Sequence, residues 1–180
     1  MTPFQNINIP VEPFLTQPLF EIADSNKNQH WLISVDIFKT EFLSYLKTRN
    51  IAVGNSNVLF YTPPNGHLGI HIDGTRLHNR SMLNYAWGSS NHSMSWYELK
   101  MGVNLESKSF TNGDEYISIP ENSVTKICDH TVGYPTLVKV GIPHSVVNYS
   151  DTGRWCLSID LKVDGSPGID FDQAIELLKD

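Results

Sequence analysis

His71 and Asp73 stand two apart in Leu68-Gly69-Ile70-His71-Ile72-Asp73, a strand-like run between the turn signals Asn65-Gly66 and Gly74. Residues two apart on a strand project from one face, so the imidazole and the carboxylate aim at one point while Ile70 and Ile72 pack behind them. Far along the chain, Val138-Lys139-Val140-Gly141-Ile142-Pro143 delivers His144 at the end of an apolar strand, and ten residues later comes Arg154. Two imidazoles and one carboxylate on one face leave positions open on a bound ion, the facial triad that holds non-haem Fe(II) for oxygen chemistry.

A His-x-Asp pair arises readily by chance at a solvated strand end, and a lone late His says less still. The ordered set of His71, Asp73, His144 and Arg154 is much harder to obtain by accident. Alternation places Arg154, Cys156, Ser158 and Asp160 on one face of a strand and Trp155, Leu157, Ile159 and Leu161 on the other. Arg is always charged and its planar fork matches a carboxylate bidentately. The competing reading is a surface Arg paired with Asp151.

With these residues the chain resembles the 2-oxoglutarate and Fe(II)-dependent oxygenases, whose pattern is His-x-Asp, a distal His, and an Arg or Lys shortly after it. The resemblance covers about residues 57–163. The segment from Leu83-Asn84-Tyr85 to Trp96-Tyr97 and the run Asn148–Leu161 look most like small members related to aspartyl/asparaginyl β-hydroxylases, with prolyl hydroxylases further away. Classical aspartyl β-hydroxylases lack the carboxylate ligand, so Asp73 departs from that branch and from its substrate class. The resemblance implies Fe(II) on His71, Asp73 and His144, 2-oxoglutarate as cosubstrate with its distant carboxylate on Arg154, and O2 at the last open position. It also implies hydroxylation of an amino-acid residue or small metabolite, with release of succinate and CO2. Asn84 stands where family members place a polar cosubstrate contact, although it would serve equally to satisfy a buried backbone group. Ser158 and Tyr61 are further candidates for that pocket. A cupin-like metal-dependent isomerase or epimerase would use the same triad without needing Arg154, and a non-catalytic jelly-roll binding or structural protein would need neither.

Other histidines read differently. His67 is in phase with His71 and Asp73, but four strand residues span about 13 Å, too far for both ends to reach one ion. It is read as a rim residue or a solvated one, and Gly69 between them as room for cosubstrate or substrate. His30, His78 and His92 lie in polar, loop-like surroundings. His130 follows Asp129 at a strand end and forms an alternative ligand pair. Tyr85, Trp87, Trp96 and Tyr97 read as core aromatics rather than a substrate box.

The 180 residues suit one domain, spanning 1–180, able to bury a core without disulfide or metal support. Residues 1–50 read as a Pro-containing arm, with an edge strand near Leu19–Ile22, followed by an amphipathic helix N-capped by Ser34 and ending near Asn50. Strands are expected at 57–62, 68–73, 81–87, 94–100, 115–119, 123–130, 136–143 and 155–163. Asp170-Phe171-Asp172-Gln173 reads as a capping box opening a helix to Lys179, within 170–180. The fold class expected is mainly β, and the resemblance implies a double-stranded β-helix, a cupin-like jelly roll, with N-terminal and C-terminal flanking helices. A net charge of -6 gives no electrostatic reason to seek nucleic acid. With no signal-peptide pattern at Met1 and no long apolar run, the sequence predicts a soluble, cytoplasmic protein with no membrane partner. Cys128 and Cys156 have no Cys-x-x-Cys neighbour and read as free thiols.

Overall fold

The structure is a computed structural model that describes residues 2–14, 22, 24–74, 78–109, 115–133, 135–163, 165–166 and 168–179. In chain order the strands are β1 (Phe4–Asn6), β2 (Gln29–Ile33), β3 (Ala52–Val53), β4 (Asn57–Thr62), β5 (His67–Asp73), β6 (Ser81–Trp87) and β7 (His92–Leu99). There follow β8 (Ser107–Ser109), β9 (Glu115–Ser118), β10 (Val124–His130), β11 (Thr136–Lys139), β12 (His144–Asn148) and β13 (Arg154–Lys162). Helix α1 (Thr40–Thr48) follows β2, and α2 (Phe171–Leu178) closes the chain.

The strands form two antiparallel sheets. The larger runs β1-β11-β6-β13-β4-β2, with β3 added on β13, and the smaller runs β10-β7-β12-β5-β9-β8. Alternation along β13 sorts its residues as expected: Trp155, Leu157, Ile159 and Leu161 enter a core with Phe42 and Leu46 of α1 and Phe171, Ala174 and Leu178 of α2. The two helices thus cover the outer face of the larger sheet, leaving its inner face free to line the space between the sheets. Phe42 and Leu46 are wholly buried, so truncating Leu46 to Ala would cost roughly 2–5 kcal/mol.

Several expectations are corrected. The predicted helix from Ser34 is two pieces, because the Ser34 hydroxyl caps only a 3-10 turn at Val35–Ile37 and Phe38 leaves in extended geometry before α1 begins. The capping box at Asp170 is not made: Asp170 is the N-cap, but its side chain accepts no capping hydrogen bond. The strand predicted over 136–143 ends at Lys139, since Gly141 and Pro143 break the ladder, and His144 opens β12 instead of closing β11. His30 lies on β2, within what reads as an arm, and His92 is a buried residue of β7, not a solvated one. The four aromatics are core but not one cluster: Tyr85 and Trp87 pack beside the helices, Trp96 between the sheets, and Tyr97 with the isoleucines of β5 and β9. Most of the expected edge strand near Leu19–Ile22 lies outside the described residues.

The hairpin that leads into the site follows from its turn residues. Asn65 adopts a positive φ of 53° and the Gly66 amide donates to the Pro63 carbonyl at 3.0 Å, closing Pro63-Pro64-Asn65-Gly66 between β4 and β5.

Candidate metal centre

His71 and His144 are direct partners across the β5–β12 ladder. Their rings lie 4.3 Å apart between centroids, tilted by 55°. Asp73 Oδ1 is 3.3 Å from His71 Nε2 and 3.9 Å from His144 Nε2. One ligand atom from each of the three residues lies within 4.8 Å of the others, a group that could bind a metal ion.

The backbone sets the tautomers. His71 Nδ1 lies 2.8 Å from the Gly69 carbonyl and His144 Nδ1 lies 2.9 Å from the Ile142 carbonyl. A carbonyl only accepts, so each Nδ1 carries a proton and each Nε2 faces Asp73, presenting a lone pair when the ring is neutral and, in a protonated metal-free His71, donating to the carboxylate. A third clasp fixes the carboxylate's own backbone: His78 Nε2 donates to the Asp73 carbonyl at 2.8 Å, and its Nδ1 accepts the Arg80 amide at 3.1 Å. Two neutral imidazoles and a carboxylate with both rings so oriented suit a divalent ion with positions to spare.

Register explains why His67 and Gly69 are not where strict alternation would put them. His144 pairs with His71, but Val146 pairs with Leu68, so β5 carries one extra residue. The bulge turns Leu68 onto the cavity wall with His71 and Asp73, while His67 and Gly69 are exposed. Gly69 therefore makes no room for ligand; its role is the carbonyl that holds His71.

Electrostatics follows from the crowding. Burial opposes an imidazolium at His71, yet the Asp73 carboxylate outweighs it and holds its pKa above the ordinary histidine value. His144, buried and facing His71, is pushed down to about 4. Burial would raise Asp73, but its hydrogen bond to His71 and the two imidazoles hold it below the usual carboxylate range.

A cavity of about 250 Å³ opens beside the triad, and the structure brings every candidate onto its wall: His71, Asp73, His144, Arg154, and likewise Asn84, Ser158 and Tyr61. Arg154 is 2% exposed and, among the described residues, forms no ion pair; the alternative pairing with Asp151 is not made. Its Nε is buried without a hydrogen-bond partner, as is Asn84 Oδ1. Tyr61 donates to the Ser25 carbonyl at 3.4 Å. Leu68, Met94, Val140 and Val146 supply the apolar part of the wall. Asn28, Gln29 and His30 also line it, and nothing in the sequence pattern marked β2 as a contributor. His130 is elsewhere, stacked on Phe4 at 4.0 Å and bonded to Asn6, while Asp129 pairs with Lys126. Cys128 and Cys156 are free thiols. No helix among the described residues is long and apolar enough to cross a membrane.

No family model matches the chain, and no curated protein matches it. Among solved structures, it is similar to peruvianin-I, a cysteine peptidase from Thevetia peruviana latex, at 11% identity over 79% of this chain and 69% of that chain, with a TM-score of 0.35. Likeness at that level identifies neither a fold nor an activity.

Proposed function

We propose that the chain is an Fe(II)- and 2-oxoglutarate-dependent oxygenase on a double-stranded β-helix. The observation that carries this reading is Arg154, a buried guanidinium without a carboxylate partner among the described residues, on the wall of the cavity that holds the triad. A buried unpaired charge is costly, and a ligand carboxylate would relieve that cost. Strand order supports the fold: β11-β6-β13-β4 faces β10-β7-β12-β5, so that the eight main strands cross between sheets in the manner of a jelly roll.

His71 and His144 would hold the metal through Nε2 and Asp73 through its carboxylate. When bound, iron with 2-oxoglutarate and O2 supplies oxidative decarboxylation to succinate and CO2, coupled to hydroxylation of a C–H bond. The chain's own tasks are positional. Arg154 would take the far carboxylate of the five-carbon dicarboxylate in its fork, and the Asn84 amide and the Ser158 and Tyr61 hydroxyls offer hydrogen bonds along the way. Leu68, Met94 and Val146 keep the reacting end dry. A metal-dependent isomerase has no use for a dicarboxylate anchor, so Arg154 favours the oxygenase.

An anaerobic titration with Fe(II) and then 2-oxoglutarate tests this, followed by a screen of candidate substrates for stimulated succinate formation in air. Stoichiometric binding of both is expected. Metal binding with no response to 2-oxoglutarate would favour the isomerase, and no metal binding would leave only a binding or structural role.

A further inference from the structure

Asp73 borders a second cavity, of about 410 Å³, which shares His30, Phe60, Asp73, Val140 and Ser158 with the first. The two therefore meet at the triad. Leu32, Val58 and Met82 give the second cavity apolar walls, and Tyr116, in register with Asp73 across β5 and β9, closes one side. Asn55, Ser56, His78 and Glu115 add polar lining, and Arg80 enters beside them.

Arg80 is held rather than loose. Its Nη2 donates to Asp160 Oδ1 at 2.5 Å, and Asp160 is 1% exposed where the Arg80 side chain is 34% exposed. The other oxygen of Asp160 accepts the Ser56 amide at 3.3 Å. Gly54 and Gly168 make space for the pair: a Cβ on Gly54 would stand 2.0 Å from Asp160 Oδ2, and one on Gly168 would stand 3.3 Å from Arg80 Nε. A guanidinium carries five N–H donors in a fixed fork, and Asp160 engages one nitrogen. Nε is buried with no partner. A pair serving only to tie the residue before β6 to β13 is often replaceable by apolar packing at no loss of stability. What this pair supplies beyond a tie is a fixed fork with donors to spare at a cavity wall.

We infer that the second cavity takes the prime substrate, and that this substrate joins a carboxylate to an aliphatic or aromatic chain. The carboxylate meets Arg80, and the chain runs over Met82, Val58 and Phe60 toward Asp73. A cavity of this size suits a small molecule or the last residue of a peptide. Both sources share the carboxylate. The inference rests on the oxygenase reading for what becomes of the bound molecule, whereas binding itself needs neither metal nor 2-oxoglutarate.

The test is an NMR titration of the metal-free protein in chelator with 4-methylpentanoate and N-acetyl-L-leucine, each beside its neutral amide. Shifts at the Arg80 Nε–H and at the Met82 and Tyr116 amides mark this cavity, whereas shifts at Arg154 and Leu68 mark the other one. The acids are expected to bind at Arg80 about tenfold more tightly than their amides, a difference typical of one charge-assisted contact. Arg80→Gln, which keeps a donor for Asp160, should abolish that preference. If the variant does not fold, the wild-type comparison at Arg80 Nε–H decides alone. A preference for N-acetyl-L-leucine assigns a peptide C-terminus, and one for 4-methylpentanoate assigns a free acid. Amides binding as well as acids, no acid binding at Arg80, or an intact preference in Arg80→Gln would overturn the inference. Because the 2-oxoglutarate reading concerns Arg154, either can fail while the other stands.

Discussion

His71 and His144 face each other across one rung of the β5–β12 ladder, each with Nδ1 tied to the carbonyl two residues before it. The pairing makes the candidate metal centre a property of strand register. Removing the carboxylate should therefore harm metal binding without moving the strands. Asp73→Ala is expected to weaken Fe(II) or Zn(II) binding by more than about 100-fold, since even groups that only orient ligands cost roughly 10–100-fold. His67→Ala, exposed beyond the bulge, should leave it within about twofold of wild type, as surface changes usually do. Calorimetric metal titrations compare them; equal losses would contradict the register.

Gly141 is predicted to be irreplaceable for the clasp on Asp73. A Cβ there would lie 2.2 Å from both Nδ1 and the carbonyl of His78, whose Nε2 holds the Asp73 carbonyl. Gly141→Ala should cost about 1–3 kcal/mol of stability, as overpacking does, and should weaken metal binding. Thermal melts with and without metal measure both. A variant as stable as wild type would show that His78 moves aside freely.

Strand faces were the legible part of this chain. Trp155, Leu157, Ile159 and Leu161 alternate with Arg154, Cys156 and Ser158 in the sequence, and the two sets do part between core and cavity. The distal His144 is legible by its chemistry, whereas its place at the start of β12 is not, because Gly141 and Pro143 end one ladder and begin another without changing residue type. The bulge in β5 was not legible, since an extra residue leaves the apolar alternation of Leu68, Ile70 and Ile72 intact. Nor was β2: Gln29 and His30 reach the cavity by pairing beside β4, a long-range fact that local composition does not encode.

His92 should report on Arg154 through pH. Burial first, and then the Arg154 charge, lower its pKa from the ordinary 6.5. Between that lowered folded value and 6.5 the unfolded chain binds more protons, so this group costs stability as pH falls through 6.5 and costs nothing above it. His144, at about 4, acts in the same direction, while His71, held high, acts oppositely. Metal-free wild type should thus lose more stability between pH 7.5 and 5.5 than His92→Gln does, as read from melts. A dicarboxylate that neutralises Arg154 should also raise the His92 pKa in an NMR titration. No change on saturation with 2-oxoglutarate would separate His92 from the ligand's charge.

Calorimetry of 2-oxoglutarate into Zn(II)-loaded wild type, Arg154→Ala and Arg154→Lys tests the central claim most directly. Loss of the guanidinium would leave the far carboxylate buried and unpaired, a loss of roughly 3–5 kcal/mol. At about 1.4 kcal/mol per decade, Arg154→Ala should bind 2-oxoglutarate two to three orders of magnitude more weakly, with its Zn(II) still in place. Lys should recover part of this, because a point charge replaces a bidentate fork. Unchanged 2-oxoglutarate affinity in Arg154→Ala, or no binding to wild type, would contradict the account.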